Sequence, residues 1–173
     1  MLIRVQNDME KWMSITYEDI KRQRIKLDEL YSKRQRNLQD LAYKLVGEYK
    51  ESLSLPSDVW RDSNQVDRAY VTVGSVNEKG NYQQGAIANC RLDADYKIRF
   101  VVSTVVDDSP LAGGQHYLLN IAMWFENGDV VVDVSKGLRQ VVVSSPQQEY
   151  AFTEVCEIMK QVLLSGLTDP RLD

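Results

Sequence analysis

With 173 residues, 43% hydrophobic and 27% charged, the chain can bury one core and still carry an extension, and its composition is not that of a disordered protein. A net charge of -4 gives the whole molecule no nucleic-acid signature, and no run of about 18 apolar residues is present to cross a membrane. Cys90 and Cys156 have the spacing of neither a zinc nor a redox motif, and the stretch MLIRVQNDMEKWM lacks the apolar core of a signal peptide, so a cytoplasmic protein with reduced thiols is expected.

Met1 to Gln6 reads as a short strand or a lead-in. Asn7 with Glu10 resembles a capping box, and Thr16 with Asp19 offers a second helix start. The β-branched pair Ile15 and Thr16 suits a bend between the two. From Thr16 to Leu53 the chain is charged, free of proline and poor in glycine, which predicts one continuous helix. Such a helix is about 55 Å long, whereas a compact globule of this chain length is roughly 40 Å across. Its length favours assembly over solitary catalysis.

A seven-residue repeat runs along it. One row is Met13, Ile20, Leu27, Arg34 and Leu41, and the other is Tyr17, Arg24, Tyr31, Leu38 and Leu45. Eight of these ten positions are apolar, which fits a coiled-coil seam. Arg24 and Arg34 interrupt it, either snorkelling outward or setting register and partner. The same rows also fit a helix packed on a sheet, because periods of 3.5 and 3.6 diverge little over about four turns. Trp12, Tyr17, Tyr31, Tyr43 and Tyr49 add aromatics to the helix, as core or as partner anchors.

Leu55-Pro56 stops the helix. PSDVWRDSNQVD, residues 56–67, reads as a polar linker anchored by Trp60. Strands are predicted at Arg68–Val76, Gly85–Leu92, Asp95–Val106, His116–Glu126, Asp129–Val134 and Leu138–Val143, joined by short turns and therefore antiparallel. Asn127-Gly128 is a two-residue hairpin signal. Tyr117, Leu119, Ile121, Met123 and Phe125 share one strand face, and Leu118, Ala122 and Trp124 make the other apolar too, so this strand reads as central. Ser145, Pro146 and Gln148 predict a capped helix start, Phe152, Val155, Met159 and Val162 its buried stripe, and Gly166 its end.

Few residues suggest chemistry. Gly74-Ser75 after one strand and Asp93 with Asp95 before another form a sparse nucleotidyltransferase-like pattern, in which paired carboxylates would hold magnesium and Asp129 or Asp133 would supply a third ligand. His116 is the single histidine, and a Cys-His pair would need Cys90 or Cys156 beside it. Gly113-Gly114 lacks the lysine and spacing of a phosphate loop. Lys21, Arg22, Arg24, Lys26, Lys33, Arg34 and Arg36 cluster on the helix as a solvated flank or a phosphate-binding face. Residues 1–55 carry eleven Lys/Arg against nine Asp/Glu, and residues 56–173 carry ten against sixteen, so helix and remainder differ in sign.

The expected architecture is α+β. A long helical segment occupies 1–55, a linker 56–67, and an antiparallel, meander-like sheet of five or six strands with a C-terminal helix packed on it occupies 68–173. The expected function is a non-enzymatic assembly or adaptor protein that forms a homo-oligomer through Ile20, Leu27, Tyr31, Leu38, Leu41 and Leu45 and recognises a protein partner. The alternatives are metal-dependent nucleotidyl or phosphoryl transfer at Asp93 and Asp95, and nucleic-acid binding through the basic helix. No cofactor and no membrane partner is implied.

Overall fold

The computed structural model describes residues 14–172. The readings placed on Met1–Gln6, Asn7 with Glu10, Trp12 and Met13 lie outside the described residues. The chain divides into two units, the first ending at Arg34 and the second starting at Gln35.

Helix α1 is Tyr17–Ser52 and runs through that boundary. Its start is the Thr16 capping box. The Thr16 amide and hydroxyl both donate to Asp19 Oδ2, at 2.9 and 2.7 Å, and the Asp19 amide donates back to Thr16 Oγ1 at 3.2 Å. Arg22 and Arg24 then pair with Asp19 and Asp28 along the helix surface. The helix closes in turns through Leu53 and Ser54, the latter with φ 49, ahead of Pro56.

In the second unit, six antiparallel strands form one sheet in the order β4-β3-β5-β6-β7-β8. They are β3 Val71–Val76, β4 Tyr82–Gln84, β5 Ile98–Val105, β6 His116–Glu126, β7 Asp129–Val134 and β8 Arg139–Val143. The fold is therefore the expected α+β one. From β5 to β8 it is a meander, while the β3–β4 hairpin sits at one edge. Strand β6 lies inside the sheet, paired with β5 from His116 to Met123 and with β7 from Ile121 to Glu126. Asn127 (φ 51) and Gly128 (φ 85) both take the left-handed conformation that a two-residue hairpin needs.

Period-two alternation divides the sheet's faces. Ile98, Phe100 and Val102, Leu119, Ile121 and Met123, Val130, Val132 and Val134, and Val141 and Val143 join one buried cluster. Leu38, Leu41, Leu45 and Tyr49 of α1 belong to it, as do Phe152, Val155 and Met159 at helix α2, Thr153–Gly166. Each such side chain contributes about 1.5–3 kcal/mol of burial before ordering entropy is charged. Tyr49 Oη lies 2.8 Å from Thr104 Oγ1, which satisfies both hydroxyls in the interior. At the far end, α2 comes so close to β6 that a Cβ on Gly166 would collide with the Tyr117 ring.

Four local expectations need correction, and in each a side chain supplies the hydrogen bonds assumed for regular structure. The linker at 56–67 contains β1, Val59–Arg61, which pairs with β2, Asp67–Ala69. Asp62 closes that hairpin by accepting the Asn64 and Val66 amides and Arg68 Nε. The strand expected at Gly85–Leu92 is instead β4 followed by a 3-10 turn at Ile87–Asn89. Helix α1 satisfies this segment: Gln39 Nε2 donates to the Ala88 and Cys90 carbonyls, Tyr43 Oη accepts the Ala88 amide, and Gln35 Oε1 accepts the Leu92 amide. Strand β5 begins at Ile98, not Asp95, because Asp93 folds the preceding residues into a turn with Tyr96 at φ 58.

The fourth concerns α2. Its helix starts at Thr153, since Ser145 to Tyr150 form successive turns and Tyr150 has φ 56. The start carries no side-chain cap of its own. Glu48 Oε2 of α1 accepts the Phe152 amide at 2.9 Å, and Lys44 of α1 donates to the Pro146 and Gln148 carbonyls. A tertiary carboxylate replaces the local cap.

Candidate interaction surfaces

Burial splits the predicted seam in two. Leu38 and Leu45 are 0% exposed and Leu41 is 2% exposed, within the chain's own core. These three therefore have no surface to give a second helix. Ile20 and Leu27 are 61% and 52% exposed, and Tyr31 is at the surface with them. Every described residue from Ser14 to Lys33 is exposed, including Tyr17, Ile25 and Leu30. The exposed half thus repeats the apolar rows of the buried half at the protein's surface. The capping box and two surface ion pairs lie along it, and exposed pairs of this kind contribute little. The Thr16 amide, followed by its hydroxyl, holds the Asp19 carboxyl below its ordinary value.

The sheet presents a second surface. Val101, Ala122 and Val131 are buried on the face opposite the helix-packed core and stay outside its cluster. A cavity of about 380 Å³ opens there, lined by Arg99, Val101, Asn120, Ala122, Asp133 and Lys136 among others. Asp133 Oδ2 accepts the Gly137 amide at 2.9 Å, while its buried Oδ1 has no hydrogen-bond partner. Lys97 Nζ stands 3.9 Å from the centre of the Trp124 ring on the same face. Sequence reading missed the burial of Asp133, because a lone aspartate in DVVVDV carries no signal of which face will be covered.

The residues considered for catalysis are placed in structural roles. Asp93 and Asp95 do not share a strand face. Asp93 Oδ1 accepts the Asp95 and Lys97 amides, and Oδ2 takes Arg99 Nε at 2.7 Å. Burial alone would raise the Asp93 carboxyl, but the Lys97 amide, Arg99 and the Asp95 amide together bring it below its ordinary value. Gly74 serves the β3–β4 hairpin, where a Cβ would come within 2.0 Å of the Gln83 carbonyl oxygen. That hairpin occupies the interval where a nucleotidyltransferase would need a helix. Asp129 opens β7 beside the Asn127-Gly128 turn. Among the described residues, no three His, Cys, Asp or Glu side chains are grouped to hold a metal ion.

His116 is exposed and faces the Tyr82 ring at 6.2 Å, with Nδ1 3.2 Å from the Gly114 carbonyl oxygen. Burial, then the Glu48 carboxylate, pushes the Cys156 thiol up to about 12, and burial also raises Cys90. Both are held in the thiol form, which is the poor nucleophile. Gly113 and Gly114 close the Asp107–Gly114 loop through hydrogen bonds to the Ser109 and Asp107 carbonyls. Of the basic residues on α1, Arg22 and Arg24 are paired with acids. No helix among the described residues is long and apolar enough to cross a membrane.

No protein-family model, curated protein or solved structure matches this chain.

Proposed function

We propose that this is a non-enzymatic assembly protein that associates with a second copy of itself through the first half of α1 and presents its sheet unit to a protein partner. The observation that carries the reading is the exposed set Tyr17, Ile20, Leu27 and Tyr31 on a helix whose next apolar residues in the same rows, Leu38, Leu41 and Leu45, are buried. Apolar rows of this regularity lower the free energy when covered, and aromatic residues among them are common anchors of interfaces. The sheet face opposite the helices, through the cavity lined by Arg99, Asn120, Asp133 and Lys136, is the surface offered to the partner. Nucleic-acid binding has less in its favour, since Asp19 and Asp28 engage two of the basic residues it would use.

The test is absolute mass by light scattering on the full chain and on Ile20→Asp with Leu27→Asp. The native chain should have twice its monomer mass, and the variant should have the monomer mass with an unchanged melting temperature. Leu38 and Leu41 are unsuitable for such a variant, because both lie in the core and their loss would unfold the second unit. A native chain of monomer mass, or an unchanged mass in the Ile20 and Leu27 variant, would sink the reading.

A further inference from the structure

We infer that the two exposed helix segments pair antiparallel, in the one register where paired seam residues have numbers summing to 51; this rests on the self-association proposed above. The argument comes from the two arginines that interrupt the seam. In a parallel, in-register pair each seam residue meets its own copy, so Arg24 would face Arg24 and Arg34 would face Arg34. Like charges facing each other in a seam are destabilising, and polar seam residues are a known means of fixing orientation.

Antiparallel pairing sets the first row of one helix against the second row of the other. Tyr17 then meets Arg34 of the second copy, Ile20 meets Tyr31, and Arg24 meets Leu27. Both arginines are opposite an apolar or aromatic side chain, and none faces another arginine. Arg24 already has the required shape. Its Nε lies 3.2 and 3.1 Å from the two Asp28 oxygens, so the charged head is drawn toward Asp28 on the flank. The flank agrees. In this register Lys21 comes beside Asp28 of the second copy, and twofold symmetry forms that pair twice. The in-register parallel pair brings no opposite charges together at the equivalent flanking positions.

The test is disulfide trapping in the full-length chain, with Ile20→Cys and Tyr31→Cys as separate variants distinguished by a tag. A mixture of the two should oxidise mainly to the mixed covalent dimer, and neither variant alone should yield much covalent dimer, because a disulfide bridges Cα atoms only about 4.4–6.8 Å apart. Self-trapping of each variant alone, with no gain on mixing, would overturn the antiparallel register in favour of the parallel one. A light-scattering mass of two chains with no trapping in any combination would overturn the register and leave self-association standing. A monomer mass would overturn both.

Discussion

The two halves of α1 carry the same apolar rows and put them to opposite uses. From Leu38 to Tyr49 the rows are sealed under the sheet, with a tyrosine hydroxyl bonded inside the core. From Tyr17 to Tyr31 they lie at the surface, with a capping box and surface ion pairs along the helix. Periodicity alone cannot separate these cases, because it specifies that a face will be covered but not by what. The buried half owes its cover to the sheet, whose alternating face packs Leu38, Leu41, Leu45 and Tyr49 into one cluster.

The sharpest way to break this symmetry is to make the same change in each half. Leu45→Ala should destabilise the fold by about 2–5 kcal/mol, the usual cost of a large-to-small change in a packed core. Leu27→Ala should leave chemical denaturation of a dilute sample unchanged, because Leu27 is half exposed. Equal losses at the two sites, measured as midpoint shifts at constant slope, would contradict the division.

A smaller effect is expected at the buried hydroxyl. Tyr49→Phe leaves Thr104 Oγ1 without its partner in the interior and should cost about 1–3 kcal/mol. The same site gives a pH dependence. Burial raises the Tyr49 phenol above its ordinary 10.0, although its bond to Thr104 opposes this. A group whose folded value is raised adds stability below its unfolded value, and that stability is lost as pH rises through the folded value. Unfolding free energy should therefore fall as pH climbs above about 10, and Tyr49→Phe should reduce the slope. Cys156, raised from 9.0 to about 12, acts in the same direction, so the slope in the variant should shrink without vanishing. An unchanged slope would show that Tyr49 titrates as it does in the unfolded chain.

How much of this was legible in the sequence varies by segment, for physical reasons. Strands His116–Glu126 and Asp129–Val134 were readable to the residue, since alternation and an Asn-Gly turn are local signals and the fold respects them. Thr16 with Asp19 was readable as a cap because both partners lie within four residues. The failures share a cause: the partner is distant in sequence. Gln39 holds the segment read as a strand at Gly85–Leu92, and Glu48 starts α2 seven residues after Pro146. Asp62 shows that even a local hairpin escapes notice when its strands are three residues long and one is fully exposed. For the candidate site, the seam was visible as a pattern. Assigning Leu38, Leu41 and Leu45 to an intermolecular interface missed that the sheet takes them first.

The smallest expected effect is also the most specific to the exposed half. Lys21→Glu should weaken self-association by placing a carboxylate beside Asp28 of the second copy, and Asp28→Lys should weaken it by opposing two lysines. Each change alters two symmetry-related contacts, and exposed charge pairs contribute about 0.2–1 kcal/mol apiece. The singles should therefore raise the dimer dissociation constant severalfold at low salt. The double variant should recover most of that loss, because it exchanges the signs and keeps the pairing. Asp28→Lys also removes the carboxylate that draws the Arg24 head to the flank, so recovery should fall short of the native value by what that internal pair contributes. Sedimentation at two salt concentrations reads the cycle, and raising the salt should compress all four values toward one another. Losses that simply add in the double variant would mean that Lys21 and Asp28 never meet across the pair, and the register would have to be wrong even if the chain still dimerised.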